Sequence, residues 1–243
     1  MSAVLEVDGL TKRFGGVAAV DGCSLSVIEG TVTALIGPNG SGKTTLFNLI
    51  TGYMKADAGT VTFAGRRVRR PDPTTLCRRG LTRTFQQARV FGSLTLVENL
   101  IASIQLPRRS LFQNAAPKAH RERATELLEE FGLAGLRDTR ADQLSFGQRK
   151  LLEFASVLMG KPRLVLLDEP TSGVNPVMVE TMERHIRELH ARGLTLLIVE
   201  HAMPTVMRLC DPVIVLDHGS KIAEGPPAAV QNDPVVLDAY LGT

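Results

Sequence analysis

The sequence predicts an α/β fold: a parallel-sheet core split in sequence by a mostly helical insert, with an antiparallel β subdomain beside it. Three observations carry that prediction. A glycine-rich octapeptide at residues 37–44 lies between an apolar strand candidate and a helix start. Short apolar runs at 164–167, 194–199 (interrupted only by Thr195) and 213–216 alternate with the helical stretch 176–191, the pattern of strands buried on both faces of a parallel sheet. Between the octapeptide and those runs, residues 96–159 carry helical periodicity instead.

The elements follow in order. Residues 5–10 and 18–27 alternate polar and apolar side chains around Gly15-Gly16, as a hairpin does. Residues 31–36 (TVTALI) form an apolar, β-branched strand, and a helix starts at 45–50 and ends near Gly52. Further short strands are expected at 59–63, 66–68 and 81–85, and their closeness in sequence predicts antiparallel pairing. Helices are expected at 96–106 and 119–131, separated by a polar break with Pro107 and Pro117. Another spans 145–159, capped by Ser145 and stopped by Gly160 and Pro162. A short terminal helix at 233–241 follows Pro226-Pro227. The expected organisation is a core with its β subdomain built from 1–89 and 161–243, and a helical insert at 90–160.

Composition narrows the function. The 243 residues are 44% hydrophobic and 22% charged, ordinary for a globular protein with a sizeable core. No apolar run is long enough to span a bilayer, and MSAVLEVDGL lacks the basic start and apolar stretch of a signal peptide, so a cytoplasmic protein is expected. Cys23, Cys77 and Cys210 have no metal-ligand spacing and read as buried or inert thiols. Net charge is only +3, yet Arg66, Arg67, Arg69, Arg70, Arg78, Arg79 and Arg83 crowd one region. They read as a solvated face or as a docking surface for anionic lipid or an acidic partner. Nucleic acid is disfavoured, because no aromatic residues interleave with them.

The octapeptide fits G-x-x-x-x-G-K-[ST], a phosphate-binding loop. Gly37, Pro38, Asn39, Gly40, Ser41, Gly42, Lys43, Thr44 and Thr45 would wrap phosphate oxygens with backbone N–H groups at a helix start. Lys43 adds a mobile charge for the β- and γ-phosphates, and the Thr44 hydroxyl can ligate Mg²⁺. The run 163–169 ends in Asp168-Glu169, at the carboxyl end of a strand where such sheets bind ligands. Asp168 suits Mg²⁺, directly or through water, and Glu169 suits a general base acting on water. His201 follows the strand 194–199 and Glu200 at the same sheet edge, within reach of a γ-phosphate, although a lone His is more often structural. The other histidines, His120, His185, His190 and His218, read as surface or loop residues. Gln86 is either a loop residue or a group that senses Mg²⁺ and positions water. Phe14 either stacks on adenine or fills the core. Ser145, Phe146, Gly147 and Gln148 open a helix, as an ordinary cap or as a second anion site.

Taken together and in this order, these pieces resemble the ATP-binding subunits of ABC transporters over essentially the whole chain. GPNGSGKTT is the phosphate loop, LSFGQ (144–148) the signature motif, and LVLLDEP (164–170) the second nucleotide motif. Gln86 matches the Q-loop glutamine, His201 the switch histidine and Phe14 the adenine-stacking aromatic. The resemblance implies a P-loop NTPase (RecA-like) core whose helical insert carries the signature. It implies an ATP hydrolase with ATP and Mg²⁺ as cofactors. It implies two subunits facing head to tail, identical or paralogous, with each ATP between one phosphate loop and the other subunit's Ser145–Gln148. Integral membrane permease subunits are the implied partners, with a periplasmic or extracellular binding protein acting indirectly and no nucleic acid. The chain would then sit peripherally on the inner face of the membrane. RFGGVAAVDG (13–22), RTFQQARVFGSLTLVENL (83–100), VEHAM (199–203) and the ending at 223–242 resemble the branched-chain amino-acid importer subgroup. Subunits for urea or amides and the lipopolysaccharide-export ATPase look similar, and a soluble non-transport ABC protein is the rival class. Two positions depart from the family: Phe146 replaces a glycine, and Asn175 stands where an Asp is usual.

Overall fold

The computed structural model describes residues 2–69, 71–104 and 118–241. The chain starts with the strands β1 (Ala3–Phe14), β2 (Val17–Ile28) and β3 (Val32–Ile36), then helix α1 (Lys43–Ile50). Next come β4 (Ala58–Phe63), β5 (Arg66–Arg67), α2 (Pro73–Arg78) and β6 (Leu81–Arg83). A helical stretch follows, with α3 (Leu96–Ala102), α4 (Lys118–Glu130) and α5 (Phe146–Leu158). The chain then alternates: β7 (Leu164–Asp168), α6 (Pro176–Ala191), β8 (Thr195–Val199), α7 (Met203–Leu209), β9 (Val213–Asp217) and β10 (Ser220–Gly225). Two short helices, α8 (Pro227–Gln231) and α9 (Pro234–Leu241), complete it.

Among the described residues the strands form two sheets. One is antiparallel, in the order β2-β1-β4-β5. The other runs β10-β9-β3-β8-β7-β6, parallel except for the edge strand β10. The apolar runs have a direct explanation here. Leu164 and Leu166 of β7 face a layer shared with α1 and the antiparallel sheet, packing with Phe47, Ile50, Val7 and Phe63. Val165 and Leu167 face the opposite layer, with Leu127 of α4, Phe131 just beyond it, Phe154 of α5 and Ile186 of α6. Both faces of the parallel sheet are therefore dry, and each buried Leu adds roughly 1.5–3 kcal/mol of burial free energy.

Three expectations need correction. β6 is not antiparallel; it pairs parallel with β7 at the edge of the core sheet. The reason is α2, capped by Asp72 with Pro73 at its first position, which carries the chain from one sheet to the other as a crossover. His185 is not a surface residue. It is 1% exposed on the inner face of α6 and stacks on Phe131 at 4.4 Å, where burial lowers its pKa and keeps the ring neutral. The arginines do not share one solvated face, since Arg83 is buried in an ion pair and Arg79 donates to the Phe63 carbonyl. Arg70, the 105–106 end of the second predicted helix, and Pro107 and Pro117 lie outside the described residues. The described part of that helix stops at Ala102, because the Ser103 hydroxyl donates to the Leu100 and Ser156 carbonyls. The thiols behave as expected: burial pushes Cys23 up to about 11 and Cys210 up to about 12.

Candidate active site

β3 delivers Ile36 to the loop, and β7 and β8 deliver Asp168 and Val199 to the same edge, because β8 lies between them in one parallel register. The loop runs from Gly37 to Gly42 and enters α1 at Lys43. Its glycines are required by space as well as by φ. A Cβ on Gly37 would lie 2.0 Å from the Leu216 carbonyl oxygen, and one on Gly42 would lie 2.2 Å from that of Ala19. The Gly219 amide donates to the Ser41 carbonyl, which ties the loop to the turn before β10.

The Lys43 ammonium is folded into the loop. It donates to the Gly37 and Pro38 carbonyls at 2.8 Å each and to Ser41 Oγ at 3.2 Å. Burial lowers its pKa, while the charges of Glu169 and Asp168 hold it up. Thr44, next along α1, is exposed, and Thr45 is partly so. Asn39 and Gly40 are exposed at the loop tip.

Glu169 is the centre of the constellation. Its carboxylate accepts from His201 Nε2 at 2.8 Å on one oxygen and from Gln86 Nε2 at 3.2 Å on the other. The residue adopts φ +50, a left-handed conformation costing a non-glycine residue about 1–2 kcal/mol. Three bonds hold it there: its amide donates to the Val199 carbonyl, and Lys150 Nζ donates to the Glu169 and Pro170 carbonyls at 2.8 and 3.3 Å. Glu200, 3% exposed, secures the other side by accepting from the Thr171 hydroxyl and amide and from the His201 amide.

Asp168, beside it, is 3% exposed. One carboxylate oxygen pairs with Arg83 Nη2 at 2.6 Å, while Arg83 Nη1 donates to Asn48 of α1, also at 2.6 Å. The oxygen-bearing side chains of this edge that could hold a cation are those of Thr44, Asp168 and Gln86. Among the described residues no group of three or more His, Cys, Asp or Glu side chains converges. One carboxylate with neutral oxygens is a donor set that would suit Mg²⁺ in the company of phosphates.

Two predicted features lie apart from this cluster. Ser145–Gln148 begins α5 with a reciprocal capping box: Ser145 Oγ accepts from the Gln148 amide, and Gln148 Oε1 accepts from the Ser145 amide at 2.9 Å. The described hydrogen bonds include none from Ser145–Gln148 to the loop 37–45. Phe146 is 43% exposed and packs near Gly173, and Gly147 leaves room for Met178 of α6. Phe14, at the end of β1, is 49% exposed with Lys12 Nζ at 5.6 Å from its ring, so it does not fill the core.

The model of the ABC transporter family matches residues 20–172, which include the loop, Gln86, Ser145–Gln148 and Asp168-Glu169. The chain belongs to the ABC transporter family. A second model, described as the branched-chain amino acid ATP-binding cassette transporter, matches residues 220–243. The chain is 37% identical to the high-affinity branched-chain amino acid transport ATP-binding protein BraF of Pseudomonas aeruginosa, covering 98% of each. The ADP conformation of an ATP-binding cassette of an ABC transporter superposes with a TM-score of 0.89 at 38% identity, covering 100% of each chain. A dimeric post-hydrolysis cassette bound to ADP and Pi gives 0.79 at 25% identity, covering 92% of this chain and 98% of that one. This cassette is thus an ABC ATP-binding subunit, and ATP hydrolysis coupled to transport is its activity.

Four residues of the cassette's site escape a motif-based reading: Arg83, Lys150, Glu153 and Glu200. Lys150 and Glu153 did leave a signal. They are charged residues three apart in the run 150–155 of α5, which is buried throughout and otherwise holds Leu151, Leu152, Phe154 and Ala155.

Proposed function

We propose that the chain hydrolyses ATP to drive uptake of branched-chain or related amino acids, acting with Mg²⁺ in a head-to-tail pair. The observation that carries this reading is the Glu169 carboxylate, held between Gln86 and His201 at the strand edge that also bears the phosphate loop. A general base needs both access to water and a fixed direction, and two hydrogen bonds supply the direction. Glu169 takes a proton from water, whose oxygen attacks the γ-phosphorus as the bond to the ADP oxygen breaks. His201, released toward the phosphate, donates to a γ-oxygen. Lys43 exchanges loop carbonyls for phosphate oxygens, and the backbone amides of Gly40 and Gly42, joined by that of Ser41 once it leaves the Pro38 carbonyl, stabilise the same charge. Thr44, Asp168 and Gln86 are the residues that would hold Mg²⁺, which supplies charge neutralisation at the phosphates. Phe14 presents its ring to adenine.

The Ser145 cap explains itself best as a trans site. Its oxygen accepts from the Gln148 amide, so its hydroxyl hydrogen and the Gly147 amide remain to meet an anion on a second subunit. The dimeric cassette among the structural relatives supports this arrangement. Branched-chain substrates are supported by the name of the relative BraF and by the matched C-terminal segment.

Transport requires contact with membrane-spanning subunits, because no described helix is long and apolar enough to cross a bilayer. We place that contact where residues 1–89 and 161–243 meet the insert 90–160. A cavity of about 270 Å³ lies there, lined by Tyr53, Cys77, Arg78, Ser103 and Ile104 among others. Gln87, Arg89 and Phe91 are exposed nearby in sequence, and the Arg89 guanidinium lies 3.7 Å from the Phe85 ring, which in turn meets Tyr53 edge-on.

The deciding experiment is Glu169→Gln. The variant should bind MgATP, release phosphate at least about a hundred-fold more slowly, and sediment as a dimer with ATP. Near-normal phosphate release would remove Glu169 from the role of base.

A further inference from the structure

α5 does more than present Ser145. Its buried face holds the two chain segments that carry the reacting groups. Lys150, 4% exposed, donates to the Glu169 and Pro170 carbonyls. Glu153, one turn on and 5% exposed, accepts the amides of both Phe85 and Arg89 on the same oxygen, at 3.1 Å each. Those two amides bracket Gln86, whose side chain meets the far oxygen of Glu169. One helix therefore fixes the backbone of the base from one side and the backbone of its glutamine partner from the other.

Neither side chain is where bulk solvation would put it. Burial lowers the Lys150 pKa and raises that of Glu153, so a charge on either group carries a cost that only specific partners offset. Leu or Met at these places would leave the Phe85 and Arg89 amides and the Glu169 and Pro170 carbonyls without these partners. The polar pair also sits where ordinary packing has no need of it, since α5 is already anchored by Leu152, Phe154 and Ala155, each at most 2% exposed.

We propose that Lys150 and Glu153 are positioning residues for hydrolysis, a brace that sets the Glu169–Gln86 contact from the helix that begins with the signature motif. Movement of α5 changes both ends of that contact together. The relay of a second subunit's ATP through Ser145 rests on the head-to-tail reading above; the brace itself lies within one chain.

The test uses the full chain. In the wild-type protein with ADP and with ATP, hydrogen exchange should show the amides of Phe85 and Arg89 protected relative to those of Gln86, Gln87 and Ala88. Lys150→Met and Glu153→Leu should each lower kcat by about ten-fold or more while leaving the KM for ATP within about three-fold, the split expected for groups that orient the reacting atoms. Glu153→Gln keeps an acceptor oxygen for the two amides, and should retain kcat within about two-fold together with wild-type exchange at 85–91. Unprotected Phe85 and Arg89 amides overturn the brace without need of any variant. A raised KM at unchanged kcat in Lys150→Met overturns it too, as does a kcat loss in Glu153→Gln equal to that in Glu153→Leu. Where Glu153→Leu fails to fold, the wild-type exchange pattern and the Gln variant decide. If Glu169→Gln alone does not dimerise with ATP, the head-to-tail reading falls, and the exchange pattern still judges the brace.

Discussion

Burial of Glu153 gives the protein a pH dependence whose sign is fixed. Its folded pKa is pushed up from 4.5 to about 7, mainly by burial and against the pull of the Arg89 and Phe85 amides and of the Lys150 and Arg89 charges. Between those values the folded state holds a proton that the unfolded chain releases. The group's contribution is therefore complete below pH 4.5 and is lost as pH rises through 7. A change of that size corresponds to about 3 kcal/mol. Glu153→Gln removes the titration, so its stability relative to wild type should rise by up to about 3 kcal/mol between pH 4.5 and 8, read from urea unfolding. An equal difference at both pH values would show an ordinary carboxyl. Glycine supplies a second expectation at this scale. Gly42→Ala forces φ +100 on a residue whose Cβ meets the Ala19 carbonyl oxygen, and should cost about 3 kcal/mol and abolish nucleotide binding. Gly160→Ala, with nothing within 4 Å and no positive φ, should stay within about 0.5 kcal/mol of wild type in the same melts.

Helix ends carry much of the specification at the next scale. Asn175, where the family usually has Asp, caps α6 by accepting from the Met178 amide at 2.9 Å, with Pro176 at the first helical position. Asn175→Ala should lower stability by about 1 kcal/mol, while Asn175→Asp should keep the cap and add about 0.5 kcal/mol from the helix dipole. Thermal melts distinguish the two; equal melting temperatures for all three chains would show that the cap is idle. Such caps and the apolar strands were legible, because each depends on residue types within a few positions: Ser145 before α5, Pro176 at α6, the doubly apolar β7 and β8. β10 was not, since its exposed edge needs no apolar alternation. The orientation of β6 was not legible either, because it is decided by α2 and by a partner more than eighty residues later. At the site, motif positions could be named individually. The Arg83–Asp168 pair and the hold of Lys150 and Glu153 could not, because they join segments that share no local pattern.

For the molecule as a whole, the nucleotide site and the proposed permease contact share the segment from Arg83 to Phe91 but use different faces of it. Arg83 and Gln86 point to the reacting carboxylates, whereas Phe91 is 57% exposed. Phe91→Asp combined with Arg78→Glu should leave hydrolysis by the purified subunit within about three-fold and abolish uptake in vesicles carrying the permease. Equal loss of both activities would place these side chains in the service of catalysis.

The position of β3 in its sheet governs when the protein becomes able to bind nucleotide. Its neighbours are β8 and β9, so the strand that launches the phosphate loop is flanked only by chain made long after it, and the loop is further tied by Gly219 to Ser41. On the ribosome the antiparallel sheet has all its strands once Arg67 has emerged, yet the loop lacks both of its lateral supports until past Thr195 and one of them until Asp217. Long-range pairing of this kind is slow and late. Nascent chains arrested near residue 200 should therefore hold a formed first sheet and no ATP analogue, and affinity should arise in a single step once β9 and the turn at Gly219 clear the exit tunnel. The cell meets this protein first as an inert, partly folded chain, and as an ATPase only when its last strands have been spoken for.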